Sequence, residues 1–337
     1  SPPPPLGNPD CEASVPPSET VPVRHFGILT YLEVNYIIYS EMPRQEWIQS
    51  TEDQNRLERI EAIVQDLWKG RPPPCYFTPH SNHHASQVEN KLYELVPDGP
   101  AKLTDKERFC LIASVWLHDI GMLPDLYEED DPQDSDELVR IVRERHHEKA
   151  REYIIHNRRP LGLNEQEASI IGHLCFFHSR NTQISDCPEY QLSTQGRVRT
   201  RLLACYLRLA DAMHVDMSRV DTPEGSLLFR TYLATGDMPS QARLHWLKSL
   251  IVNGIDVRPG EKKIIVEFRH PKGWRVEDII PLAEKVIDDL EDELNSVKDI
   301  LTLGGLSHYV IIDAQYTQDG FSREVEVWLQ QIVHEIN

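Results

Sequence analysis

The chemistry in this chain is concentrated in His and Asp. The run Phe109–Leu123 reads FCLIASVWLHDIGML, an apolar stretch that ends abruptly in His118 and Asp119 and then Gly121. A run of that length predicts a buried helix rather than a strand. An imidazole beside a carboxylate at the end of a buried helix is costly unless something satisfies both groups. A divalent cation does so, because His nitrogen and Asp oxygen are ordinary ligands for transition metals. A lone His–Asp doublet is more often hydrogen-bonded to nearby backbone, and short motifs have many false matches. The other elements change that balance.

Those elements read as helices, each with one polar residue on an otherwise apolar stripe. A helical pattern over about 43–68 is stopped by RPPP at 71–74, and the next helix is expected to open at Thr78-Pro79. On it His84, Val88, Leu92 and Leu95 share an inward face. His80 stands one turn earlier on the same side, and His83 is expected to be solvated. The 135–157 helix carries Val139, Val142, His146, Ala150 and Ile154 on one stripe, which leaves His147 on the wet side. Asn164 with Glu167 resembles a helix N-cap arrangement, and that helix is expected to run to about 179. Ile171, Leu174, Cys175 and His178 form its stripe, and His173 is the second choice there. The 194–217 helix puts Leu203, Leu207, Asp211 and His214 on one side. A buried Asp211 needs a cation, either Arg208 or a metal. Collected in order, the inward polar residues are His84, His118, Asp119, His146, His178 and Asp211. Packing alone does not explain five helices each contributing an imidazole or a carboxylate to an apolar face.

Composition sets the frame. The chain has 337 residues, 40% of them hydrophobic, with six tryptophans, enough for a real core. Apolar segments are short and interrupted by charge, so no membrane span is expected. Residues 1–22 hold eight prolines and should be a disordered lead-in without a secretory signal. A short apolar piece, 26–39, follows. The six cysteines lack paired spacing, which fits reduced thiols and a cytoplasmic location. A net charge of −19 argues against broad duplex nucleic-acid binding. It leaves room for a phosphorylated small molecule held by a metal and a few arginines. The acidic stretch 125–136 is read as a solvated loop. Beyond Asp221 the pattern changes: strands at 250–257 and 263–270 form a hairpin about Pro259-Gly260. A helix at 276–303, a strand at 309–314 and a helix at 322–336 follow. The expected fold is mainly α, a helical bundle over 23–221 with a smaller α+β region over 222–337.

The order H…HD…H…H…D over residues 75–220 resembles the HD-domain superfamily of metal-dependent phosphohydrolases. His80-x-x-x-His84-Ala85-x-x-Val88 is also similar to the cyclic-nucleotide phosphodiesterase signature, in which the first histidine is the general acid and the second a ligand. RERHHEKAREYI (143–154), RLADAMHVDMSRV (208–220) and the α+β tail resemble the HD domains of bacterial conflict-system (defence) proteins, the HD-CE type. Those are sometimes joined to a heat-shock-type ATPase domain, whose motif is not visible here. HDIGM (118–122) has Met122 where the cyclic-di-GMP phosphodiesterases have lysine, and no GYP motif follows His178. The second histidine after the doublet found in mammalian-type phosphodiesterases is also missing.

The resemblance implies one divalent ion on His84, His118, Asp119 and Asp211. A second would sit on His146 and His178, with Asp119 bridging. Two cations about 4 Å apart clamp a phosphoryl group for in-line attack. Mn, Fe, Ni, Co, Zn or Mg would suit the mixed N/O donors. Asp119 and the general acid His80 are the expected catalytic residues, and Arg143, Arg208 and Arg219 the candidate phosphate holders. The implied activity is phosphoester hydrolysis, as a phosphohydrolase or phosphodiesterase, on a nucleotide, a nucleotide signal or another phosphorylated small molecule. The alternatives are a single-strand nuclease using Arg197, Arg199 and Arg201, or a non-catalytic ligand-sensing module that docks a partner protein or a fused ATPase domain.

Overall fold

The computed structural model describes residues 44–69, 76–80, 82–127, 135–235, 238, 240–303 and 309–336. The expected lead-in at 1–22, the apolar piece at 26–39 and most of the acidic 125–136 loop lie outside them. The fold is mainly α, with a small C-terminal α+β region.

The helices of the bundle are α1 (Thr51–Trp68), α2 (Asn82–Leu95), α3 (Asp105–Leu117), α4 (Ser135–His156), α5 (Glu165–Phe177) and α6 (Thr200–Ala212). Helix α3 is the central one, and Phe109–Leu117 are all buried. An apolar surface all round is what a helix enclosed by others requires. A capping box fixes its start, with Thr104 and Glu107 satisfying each other's backbone amides. Asn164 and Glu167 form the same device at the start of α5, as the sequence suggested. Helix α3 stops at His118, earlier than the apolar run implies, and a short turn at Ile120–Met122 follows. That turn lies against α4. A Cβ on Gly121 would overlap the His146 carbonyl oxygen and lie 2.7 Å from the Ala150 amide nitrogen. Only glycine lets the His118-Asp119 corner approach the His146 helix this closely.

Two boundaries differ from expectation. Helix α2 begins at Asn82, so Thr78-Pro79-His80 is a non-helical approach to it. Proline disfavours helical backbone at the residue before it. Helix α6 begins at Thr200 because Gln191–Ser193 (β1) and Gly196–Val198 (β2) pair as a small antiparallel hairpin.

After Asp221 come two helices absent from the sequence expectation, α7 (Pro223–Thr235) and α8 (Ser240–Ile251). They bury Tyr232, Met238 and Trp246 in a cluster of their own, with Val220 and Ala242. The sheet has the order β3-β4-β5: Val252–Arg258 (β3), Lys263–Pro271 (β4) and Val310–Asp319 (β5). Strands β3 and β4 form the expected antiparallel hairpin. Strand β5 pairs parallel with β4 after a crossover through α9 (Ile280–Leu303). Helix α10 (Arg323–Ile336) follows. Helix α9 packs on α6, which brings the α+β region against the bundle. No helix among the described residues is long and apolar enough to cross a membrane.

Candidate metal centre

Six side chains converge where the bundle helices end. His84 lies in the first turn of α2, and His118 and Asp119 directly follow α3. His146 is in α4, His178 directly follows α5, and Asp211 is in the last turn of α6. All are buried except Asp211, which is half-buried.

His84 Nε2 lies 3.3 Å from His118 Nε2, 3.3 Å from Asp119 Oδ2 and 3.1 Å from Asp211 Oδ1. His118 Nε2 is 3.2 Å from Asp119 Oδ2 and 3.6 Å from Asp211 Oδ1. On the other side, His146 Nε2 is 3.3 Å from His178 Nε2, which is 3.7 Å from Asp119 Oδ1. Asp119 therefore turns one oxygen to each group. Ligand bonds of about 2.0–2.2 Å would leave neighbouring donors roughly 3.0–3.6 Å apart. The donor spacing and the His/Asp chemistry fit divalent ions, and three overlapping groups of these residues could hold one.

The tautomers agree with that fit. His118 Nδ1 donates to the Val115 carbonyl (2.8 Å), His146 Nδ1 to that of Arg143 (3.0 Å), and His178 Nδ1 to that of Cys175. A carbonyl only accepts, so each ring carries its hydrogen on Nδ1 and turns an Nε2 lone pair toward the carboxylates. Lone pairs and carboxylates facing one another require positive charge between them. In the protein alone protons supply it. Burial pushes the His118 imidazolium down, but Asp119 and Asp211 outweigh burial and hold its pKa well above the ordinary value. Burial would raise the Asp119 and Asp211 carboxyls, yet the histidines hold both well below the usual range. His146, buried and beside His178, is pushed down to about 4.

Above the donors lies a cavity of about 510 Å³ with walls from both parts of the fold. The bundle contributes Phe77, His80, Arg143 and Arg219, and α8 and α9 contribute Lys248 and Asp289. Arg143 stacks on Phe77 at 4.4 Å. Arg219 donates to the His214 carbonyl (2.9 Å) and to His80 Nε2 (3.0 Å). Among the described residues no carboxylate pairs with either arginine, and both line the cavity. Burial, with Arg219 nearby, lowers the Arg143 pKa. Arg208 is differently placed. It donates to the carbonyls of Ser179 (2.6 Å) and Thr182 (3.2 Å), and its Nε stands 3.0 Å from Glu293 Oε2 on α9. Arg180, beside His178, also pairs with Glu293 and donates to the Asp289 carbonyl (2.8 Å). These contacts clasp the His178 loop to α9. Asp211 faces His84 and His118, not Arg208.

His80 reaches the site from the non-helical approach to α2. Its Nδ1 donates to the Thr78 carbonyl, and its Nε2 lies 4.0 Å from Asp119 Oδ2. Burial and the Arg219 charge hold its pKa well below the ordinary histidine value. His173 is directed elsewhere, to the Ser169 carbonyl (2.7 Å) and Gln191 (3.0 Å), so α5 offers His178 to the cluster.

Two phasing expectations are corrected. His147 is buried rather than wet, with its ring 5.0 Å from Phe176, because α5 covers that side of α4. His83 is half-buried and donates to the Ser218 carbonyl at 3.0 Å, because the segment after α6 folds over it. Sequence reading missed Asp289 and Glu293, whose amphipathic helix carries acids all along its polar face.

The family model HD-CE matches residues 74–296, about two thirds of the chain. The chain belongs to the HD-CE family. The matched segment contains every donor, His80, the cavity arginines and the α9 carboxylates. Membership implies an HD-type, metal-dependent hydrolase. No curated protein matches the chain.

Proposed function

We propose that this HD-CE protein hydrolyses a phosphoester, as a phosphohydrolase or phosphodiesterase acting on a nucleotide or nucleotide signal. The observation that carries the reading is the pairing of Asp119, one oxygen to each donor group, with two arginines, Arg143 and Arg219, that line the cavity above it. His84, His118, Asp119 and Asp211 would hold one divalent ion, and His146 and His178 with Asp119 a second. When bound, such ions supply Lewis-acid polarisation of a phosphoryl group and offset its charge.

The chain's own residues account for the rest. Arg143 and Arg219 bind and orient the phosphate, where planar guanidinium donors suit paired oxygens. The stacking of Arg143 on Phe77 limits its freedom before substrate arrives. Arg208, bonded to two carbonyls and ion-paired with Glu293, serves better to hold the Ser179 loop than to bind phosphate. His80 Nε2 is the available proton-transfer atom, because Nδ1 is committed to Thr78. A phosphate that draws Arg219 toward itself removes the cation from His80, which favours a proton on Nε2 for the departing oxygen. Helices α8 and α9 form one wall of the cavity.

The single-strand nuclease reading is less favoured, because Arg199 pairs with Glu107 (2.6 Å) and Arg201 donates to the Cys187 carbonyl (2.8 Å), which leaves Arg197, over the Tyr190 ring, as the exposed member of the three. A cytoplasmic setting in a bacterial conflict system is part of the proposal. Buried free thiols at Cys110, Cys175, Cys187 and Cys205 favour a reducing compartment.

The test is chromatography of a nucleotide panel incubated with Mn²⁺- or Ni²⁺-loaded protein and with Asp119→Ala. Asp119-dependent release of phosphate or of a ring-opened nucleotide is expected. No turnover across the panel would refute the reading. A nucleotide-induced thermal shift without turnover would point to a sensing module. Asp119-dependent cleavage of an end-labelled oligonucleotide would restore the nuclease.

A further inference from the structure

Three of the four imidazoles in the donor groups place their Nδ1 hydrogens on backbone carbonyls three residues earlier. His84 does not. Its Nδ1 lies 2.7 Å from Nδ1 of His214, and the two rings meet edge to edge, nearly coplanar, with centroids 4.9 Å apart and 19° between their planes. His214 follows α6, three residues after Asp211, and is fully buried. Its Nε2 lies 3.1 Å from Ser218 Oγ, which lies 2.6 Å from Asp216 Oδ1.

One arrangement of hydrogens satisfies this chain. The Asp216 carboxylate only accepts, so the Ser218 hydroxyl donates to it. Ser218 Oγ then accepts from Nε2–H of His214. A neutral imidazole carries one hydrogen, so His214 Nδ1 is a lone pair and accepts from Nδ1–H of His84. His84 Nε2 is thereby left as a lone pair directed at Asp119 and Asp211. The assignment runs inward from Asp216 and uses no assumption about what lies between the carboxylates.

We propose that His214 is a positioning residue: with Ser218 and Asp216 it fixes the tautomer and ring orientation of His84 as a metal ligand. The proposal rests on the reading of the donor groups as a metal centre. Carboxylates and carbonyls behind a ligating histidine do the same work elsewhere, raising its basicity and holding its ring. Here the support is built from side chains of the segment 211–218, which also supplies Asp211. One short stretch thus presents its own donor and props a donor from a different helix. His83 secures the stretch from the α2 side through the Ser218 carbonyl.

The test uses Zn²⁺, which is diamagnetic, as the probe. Its affinity is measured by chelator competition for the parent, His214→Phe and His214→Asn, with thermal melts in chelator to check folding. Phenylalanine fills the place of the ring without an acceptor, and should weaken binding about 10- to 100-fold. Asparagine can offer an oxygen near the Nδ1 position and should recover most of that loss. In the Zn²⁺-loaded parent, ¹⁵N shifts should show His214 protonated on Nε2 and bare on Nδ1, a readout that needs no variant to fold. Parent-like Zn²⁺ affinity in His214→Phe, or a His214 hydrogen on Nδ1, would overturn the proposal while leaving the metal centre standing. A parent chain that binds no Zn²⁺ would instead defeat the metal-centre reading and the proposal with it.

Discussion

Replacement of His80 by alanine separates proton transfer from metal binding. Donors within the first group stand 3.1–3.6 Å apart, whereas His80 Nε2 is 4.0 Å from the nearest carboxylate oxygen and is engaged by Arg219. His80→Ala should therefore keep its full metal content and its fold. If His80 donates a proton to the leaving oxygen, the loss in kcat should be about 100- to 10,000-fold. At about 1.4 kcal/mol per tenfold that is roughly 3–5 kcal/mol of transition-state stabilisation. From a p-nitrophenyl phosphoester, p-nitrophenolate departs as an anion without a proton, so that hydrolysis should fall much less. Arg219→Ala is the matched control, because a lost phosphate contact should slow both substrates and raise KM. Steady-state kinetics on a natural and an activated substrate, with metal analysis of each variant, provide the assay. Equal losses on both substrates for His80→Ala would refute proton donation and make His80 a phosphate-positioning group. Loss of metal would make it a ligand.

Other perturbations probe the frame. Gly121→Ala should destabilise the protein by about 1–3 kcal/mol in urea unfolding, because its Cβ meets the backbone of α4. It should also weaken metal binding by parting the His118-Asp119 corner from His146. His173→Ala should retain metal and turnover, since His173 bonds away from the cluster. Burial pushes the Glu167 carboxyl up, but Lys106, the Asn164 amide and Arg56 outweigh it and hold its folded pKa below the ordinary value. Such a group adds stability above its unfolded pKa, about 4.3, and that stability is lost as pH falls through the folded value. Glu167→Gln should therefore be less stable than the parent near neutrality, and the gap should narrow in urea melts taken below about pH 4. A constant gap would contradict the sign.

The candidate donors were legible because His84, His146, His178 and Asp211 each interrupt an apolar stripe on a different expected helix, and His118-Asp119 ends an apolar run. His84, His118, Asp119, His146, His178 and Asp211 all came from that signal, and the structure brings all six together. Surfaces buried on a second side were not legible. His147 sits on the polar side of α4, yet α5 covers it, and periodicity within one helix cannot register a neighbour. His83 was missed for the same reason. Helices α7 and α8 lack a long amphipathic stripe, since their apolar residues meet Tyr76 and Trp328 from distant parts of the chain. His214 shares a helical face with Asp211 in the sequence, but its role depends on a hydroxyl four residues on and an imidazole 130 residues earlier. That relation exists only once the chain has folded.

The central claim is that Asp119 serves two ions at once, and elemental analysis of purified protein beside Asp119→Ala tests it most directly. The account predicts about two equivalents of divalent transition metal per parent chain. It also predicts a variant depleted of both ions, more severely than His84→Ala or His146→Ala, each of which removes a ligand from one group. A variant that folds and retains the parent's full metal content, or a parent that binds no metal when Mn²⁺, Ni²⁺ or Zn²⁺ is supplied, would contradict it.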